Sequence, residues 1–135
     1  MGNFKNWIEN EKDMVGAVAL LSQDKALVLK RGSRSPWMPG KWNLPGGIVR
    51  AAETPQQAAL RECMEETGIQ PESLRMLTVI TDPDYTLHVF VGHTHTMRVH
   101  LDHENSEFAW ITKAMVTSYD FVPHVRNILL QAIGG

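Results

Sequence analysis

The chain has 135 residues and a formal net charge of −2, enough for one compact domain over 1–135 and too short for two ordinary ones. That balance offers no global attraction for polyanions, which argues against coating an extended nucleic acid. With 43% hydrophobic and 21% charged residues the composition is that of a folded globular protein, and disorder is excluded.

The longest apolar run, Met14 to Leu21, is broken by Gly16 and falls far short of the roughly 20 residues a bilayer span requires, so no membrane role is expected. The start of the chain carries neither a myristoylation signal nor a signal-peptide pattern. Cys63 is the single cysteine and cannot form an internal disulfide. It reads as a small buried hydrophobe in a reducing compartment, with the cytoplasm as the expected location.

Asn3 to Lys12 reads as a short helix or an edge segment and is left unassigned. Val15 to Leu21 and Ala26 to Leu29 are short apolar segments around Ser22-Gln23-Asp24-Lys25, the pattern of a two-stranded hairpin. A loop rich in Gly, Ser, Pro and basic residues follows from Gly32 to Lys41. Trp42 to Val49 then contains Leu44-Pro45-Gly46-Gly47, where glycines after a proline let the backbone turn sharply and approach a ligand.

Thr54 as N-cap, Pro55 at the first helical position and Gly68 as a left-handed stop predict a helix from Pro55 to Thr67. Strand patterns follow at Leu74 to Thr81, Tyr85 to Val91, Met97 to Leu101 and Phe108 to Ile111, with Asp82-Pro83-Asp84 as a turn. Val122 to Ile133 has apolar residues at helical spacing. The order predicts an α/β (α+β) fold with a mixed sheet between helices.

On the predicted helix, Glu62, Glu65 and Glu66 stand at i, i+3 and i+4 and project from one face, with Leu60, Cys63, Met64 and Thr67 expected on the other. Met64 and Met76 are expected to fill the core. Three adjacent carboxylates repel one another, at a few tenths of a kcal/mol per like pair, ~0.2–0.5. Such an arrangement suits a hard cation, with Mg²⁺ ahead of Mn²⁺ and Ca²⁺.

The company of this triplet is more specific. Gly47 is followed after five residues by Glu53, after seven more by Arg61-Glu62, and then by Glu65-Glu66-x-Gly68-Ile69. This resembles the Nudix box, G-x5-E-x7-R-E-U-x-E-E-x-G-U with U apolar, over residues 47–69. Every fixed position matches, with Cys63 and Ile69 at the two apolar places. Flanking resemblance runs from Leu27–Arg31 through Gly40–Gly47 and on to Glu107-Phe108-Ala109-Trp110. Two departures are Ala52, where many members place glycine before the first glutamate, and Arg50, where glutamate is frequent.

The resemblance implies a loop–helix–loop that delivers Mg²⁺, with Mn²⁺ able to substitute, to the diphosphate of a small nucleotide-type substrate. The expected metal ligands are Glu62, Glu66 and the Gly46 carbonyl, with Glu65 as a further ligand or water-orienting group. Arg61 and Glu53 are expected to form a structural salt bridge rather than take part in chemistry. The catalytic base is either a box glutamate or one on a later loop, where Glu104 ranks ahead of Glu107.

For the substrate side, Arg31, Arg34 and Lys41 are candidates to meet phosphates, and Trp37 or Tyr85 to stack on a base. His93 and His95 share a strand face, but without cysteine or a spaced third ligand they read as solvent-facing. The expected activity is a pyrophosphohydrolase acting on a nucleoside triphosphate or other nucleoside diphosphate derivative. Alternatives are a dinucleoside polyphosphate, nucleotide-sugar or ADP-ribose hydrolase, or a nucleotide-binding module that does not cut. The intact carboxylate set favours an enzyme, and a homodimer is left open.

Overall fold

The computed structural model describes residues 12–134. The unassigned stretch 3–11 lies outside them. In chain order the elements are β1 (Asp13–Ser22), β2 (Lys25–Arg31), β3 (Trp42–Asn43), β4 (Gly46–Ile48), α1 (Pro55–Thr67), β5 (Ser73–Thr81), β6 (Tyr85–His93), β7 (Asn105–Thr112), a 3-10 turn (Lys113–Ser118) and α2 (Val125–Ala132). The strands form one mixed sheet.

The sheet is organised around β1. Along one edge β1 pairs with β6 in parallel, from Asp13↔Tyr85 to Leu21↔His93, and β5 closes that side antiparallel to β6. Along the other edge β1 meets β2 only at the hairpin, through Leu21↔Ala26 and Ser22↔Lys25. Beyond those two pairs the strands part. β1 takes β4 as its neighbour, while β2 takes β3 and β7. The opening between the parted strands places the cavity described below.

Alternation along β1 builds two cores. Ala17, Ala19 and Leu21 face α2, with Val89, Val91, Ile128 and Leu129. Val18 and Leu20 face α1, with Ala59, Cys63, Ile69 and Phe90. This is the period-two signature of a strand buried on both faces, and it puts the sheet between the two helices. Gly16 lies under the start of α1, where a Cβ would overlap the Pro55 carbonyl.

The bounds of α1 follow from its caps. Thr54 Oγ1 accepts from the Gln57 N–H at 3.1 Å and Gln57 Oε1 accepts from the Thr54 N–H at 2.9 Å, a reciprocal capping box. Gly68, at φ 75°, donates its N–H to the Met64 carbonyl, a left-handed stop that glycine adopts without a side-chain penalty.

Three expectations are corrected. Met97–Leu101 forms no strand. Val99 and Leu101 are half-buried against the α1-side core, so their alternation reflects packing without a ladder. The last helix begins at Val125 rather than Val122, because His124 sits at φ 79° and breaks the run. Met64 and Met76 are exposed, at 44% and 48%, and do not fill the core.

Candidate active site

The Pro45-Gly46-Gly47 turn is held against β1 and α1 by close approach. A Cβ on Gly46 would overlap the Gly16 carbonyl and Ala17, and one on Gly47 would overlap the Glu62 carboxylate. Only glycine lets the β4 backbone lie this near a helix side chain. The Gly46 N–H points at Glu66 Oε1, 3.4 Å away.

The helix does not divide as expected, with all three glutamates on the face opposite Cys63 and Thr67. Ala59, Cys63, Glu66 and Thr67 stand at i, i+4, i+7 and i+8 and all are buried, so Glu66 belongs to the stripe that packs on the sheet. Only 7% of Glu66 is exposed. Burial pushes its carboxyl well above the ordinary range, and the neighbouring Glu62 and then Asp102 push it further; the Gly46 N–H offsets this only in part. Asp102 comes from the loop before β7, where spacing along the helix could not have revealed it.

Arg61 anchors the outer side of the same turn. Its Nε donates to Glu53 Oε2 at 2.6 Å and its Nη2 to Glu53 Oε1 at 3.0 Å, a bidentate pair. Nη2 also reaches the Ile48 carbonyl at 3.2 Å, which ties the loop to the helix. Nη1 extends to Glu62 Oε2 at 3.1 Å and Glu65 Oε1 at 3.4 Å. The Arg61 hydrogen bonds, followed by the Arg50 N–H, hold the Glu53 carboxyl near 2, and Glu53 in turn raises the Arg61 guanidinium above its ordinary value.

A cavity of about 690 Å³ opens from this turn into the gap between β1 and β2. Gly46, Gly47, Glu62, Glu66 and Glu104 line it, as do Arg31, Trp37, Asn43, Asp84 and Tyr85. Its floor is apolar, from Val15, Ala17, Leu44 and Leu87. Trp37 and Tyr85 meet edge to face, with centroids 6.5 Å apart, and the Arg31 guanidinium lies 5.0 Å from the Trp37 ring centroid.

The other sequence candidates lie away from this cavity. Glu107 faces Lys30 across the strands at 3.5 Å, Lys41 pairs with Asp120 at 3.0 Å, and Arg34 is exposed. Glu65 and Glu53 flank the turn through Arg61. Arg31, which does line the cavity, spends its Nε on the Trp37 carbonyl and its Nη2 on Ser35 Oγ, within its own loop. His95 is 93% exposed and pairs with Glu72. Sequence reading missed Asn43, Asp84 and Asp102. Of these only Asn43, three residues before Gly46, lay close to a motif.

A mixed sheet between two helices, with a glycine turn set against an acidic helix beside a cavity, defines a loop–helix–loop architecture. The family model of the NUDIX domain matches residues 12–131. A Mycobacterium tuberculosis protein named "Putative 8-oxo-dGTP diphosphatase 2" is 30% identical over 123 residues, covering 84% of this chain and 83% of that protein. An ADP-ribose pyrophosphatase of Methanocaldococcus jannaschii is 34% identical over 70 residues, covering 52% of this chain and 41% of its own.

Among solved structures, the NUDIX domain of Shewanella oneidensis NrtR, determined with ADP ribose, superposes with a TM-score of 0.80 at 19% identity, over 97% of this chain and 92% of that one. A MutT structure from a study of the Aliivibrio salmonicida and Vibrio cholerae proteins superposes with a TM-score of 0.77 at 20% identity, over 89% and 98%. The chain belongs to the Nudix family and is a hydrolase acting on phosphoanhydrides.

Nudix hydrolases in general use divalent metals, and the residues present fit one. Glu66 is buried beside two other acidic groups, with no basic side chain to offset them, a concentration of acidic groups that a hard cation would neutralise. Among the described residues no three acidic, histidine or cysteine side chains are already gathered at ligating geometry. Glu62 and Glu65 are instead shared with Arg61. No described helix is long and apolar enough to cross a membrane.

Proposed function

We propose that this chain is a Mg²⁺-dependent pyrophosphohydrolase that cleaves a nucleoside triphosphate or other nucleoside diphosphate derivative by attack of water on phosphorus. The products would be a nucleoside phosphate and a second phosphorylated fragment. The observation that carries this reading is Glu66, buried against Glu62 and Asp102 with no basic side chain paired to it, on a cavity that Trp37 and Tyr85 also line.

Glu62, Glu66 and the Gly46 carbonyl would hold the ion, with Glu65 beside them. Bound there, Mg²⁺ supplies charge neutralisation to the diphosphate oxygens and acidifies a water. Glu104 is the better placed of the two later carboxylates to accept the proton from the attacking water, since it lines the cavity, whereas Glu107, expected on a loop, lies on β7 and is turned toward Lys30. Arg61 and Glu53 fix the loop on the helix so that the carboxylates hold their places. Trp37 and Tyr85 offer faces on which a base can stack. Residues 1–135 would act as one cytoplasmic domain.

The name of one relative and the ADP ribose complex of a structural neighbour support a second reading, an ADP-ribose hydrolase on the same site. A screen of nucleoside triphosphates, ADP-ribose, dinucleoside polyphosphates and nucleotide sugars separates the two. Turnover should require Mg²⁺, stop with EDTA and return when Mg²⁺ or Mn²⁺ is restored. Absence of turnover on every compound, or turnover indifferent to EDTA, overturns the proposal.

A further inference from the structure

We infer that Asp82 and His124 form a positioning clamp for the base of the substrate, holding Tyr85 in its place on the cavity wall from outside the cavity. The inference rests on the cavity taking a nucleotide whose base stacks on Tyr85. Neither member of the pair lines the cavity, but each is flanked by residues that do, Asp84 and Tyr85 after Asp82, and Pro123 and Val125 on either side of His124. His124 Nε2 lies 2.7 Å from Asp82 Oδ2, across 42 positions of the chain. The two side chains are 28% and 16% exposed. A carboxylate only accepts, so Nε2 carries the hydrogen, and the bond joins the β5–β6 turn to the start of α2.

Both ends of this bond are themselves fixed. On the turn, Asp82 Oδ1 accepts the Asp84 N–H at 2.9 Å and the Asp82 N–H donates to the Tyr85 carbonyl at 2.9 Å. The carboxylate is thus oriented by the same backbone that carries Tyr85. At the helix, the His124 carbonyl accepts the Ile128 N–H at 3.1 Å. His124 stands at φ 79°, a left-handed conformation that a residue with a Cβ adopts at a cost and keeps only where its surroundings hold it. Its ring meets Tyr85 edge to face, with centroids 6.2 Å apart, and Tyr85 meets Trp37 in the same manner at 6.5 Å. Tyr85 therefore touches two rings, one on the cavity wall and one held by a carboxylate. A ring fixed beforehand loses little freedom when a base stacks on it, so the clamp acts on affinity and not on the chemical step.

Glycine adopts φ 79° without a side-chain penalty, so His124→Gly removes the clamp and relieves the backbone together. His124→Gln keeps an N–H donor able to reach Asp82. Binding of GMP, AMP and inorganic pyrophosphate, the last without a base, is measured by calorimetry with Mg²⁺ present, alongside hydrolysis of GTP and ATP. His124→Gly should weaken both monophosphates by roughly 3- to 10-fold, part of what a base–aromatic stack is worth, and leave pyrophosphate within about twofold. The loss in hydrolysis should fall on KM, with kcat within about twofold. Tyr85→Ala should weaken the monophosphates at least as much, and adding His124→Gly to it should cost no more than about twofold further. His124→Gln should stay within about threefold of the wild type.

Monophosphate binding unchanged in His124→Gly, a loss shared equally by pyrophosphate, or a loss that adds in full to that of Tyr85→Ala overturns the inference. A lowered melting temperature with unchanged binding does so too, since the pair would then only fasten α2 to the turn. Weakened monophosphate binding that depends on Tyr85, in a protein that hydrolyses no nucleotide, leaves the clamp standing and removes the proposed activity. Hydrolysis with KM unchanged in His124→Gly does the reverse.

Discussion

Two glutamates of one loop and helix carry opposite electrostatics. Glu53 lies on the outer side, held by both nitrogens of an Arg61 fork and by the Arg50 N–H, and its carboxyl is driven down to about 2. Glu66 lies on the inner side, buried beside Glu62 and Asp102, and its carboxyl is driven up. The outer group is complete and serves the fold. The inner group has no such partner and costs stability, and in the proposed site a cation would supply the missing charge, the pattern expected where a site gives up stability for function.

Removing each charge in turn should break the symmetry most strongly in activity. Glu66→Gln is expected to lower kcat/KM by at least about 100-fold, because a lost metal ligand removes several kcal/mol of charge stabilisation. The same change should raise the melting temperature of the metal-free protein near neutral pH, since a neutral amide can be buried without the proton uptake that burying the Glu66 carboxyl requires. Glu53→Gln should do the reverse, lowering the melting temperature while leaving a larger share of activity. Parallel losses of stability in both variants would show that Glu66 is no less compensated than Glu53.

The next effect tests whether the inner pair depends on the glycine turn. A Cβ at Gly47 would overlap the Glu62 carboxylate, the mobile end of a side chain that can swing aside. Gly47→Ala should therefore cost activity, roughly 10- to 100-fold from the displaced carboxylate, with little change in melting temperature. A large loss of stability with proportionate loss of activity would mean that the turn, not the ligand, is what the glycine protects.

A smaller effect lies in the pH dependence of stability of the metal-free protein. Glu53 binds fewer protons folded than unfolded, so its contribution is present above the ordinary value of 4.5 and is lost as pH falls toward about 2. Glu66 holds a proton in the folded protein that the unfolded chain releases, so its contribution weakens stability as pH climbs above 4.5. Denaturation followed from pH 3 to pH 8 should show an acid-side loss that disappears in Glu53→Gln and a loss on the other side that disappears in Glu66→Gln. Mg²⁺ should offset the second loss and leave the first unchanged.

These contrasts also show which parts of the molecule were legible in the sequence. The bounds of α1 could be read from Thr54, Pro55 and Gly68 because capping is local chemistry. The acidic triplet was visible for the same reason, but its division into an exposed Glu65 and a buried Glu66 depends on which helix face meets the sheet, a tertiary fact. Met97–Leu101 misled because alternating burial does not require a strand partner. Asp102 was hidden because it reaches Glu66 from 36 residues downstream. The parting of β1 from β2, which creates the cavity, is set by β4, β3 and β7 competing for their edges, and no single segment encodes that.

The least effect concerns the loop that joins the two groups. Ala52 adopts φ 70°, a left-handed conformation in which a Cβ crowds the following carbonyl at a cost of roughly 1–2 kcal/mol. It stands where many family members place a glycine, so the departure noted in the sequence coincides with a strained residue one position before Glu53. Ala52→Gly removes the crowding but frees the unfolded chain, which returns about 0.4–1 kcal/mol. The expected net gain is about 0.5–1 kcal/mol, measured by denaturant midpoint at constant slope. Because Arg61 already pins Glu53 in place, kcat/KM should change by less than about twofold. A large change in activity would mean that the strained loop, and not the ion pair, sets the position of the helix over the cavity.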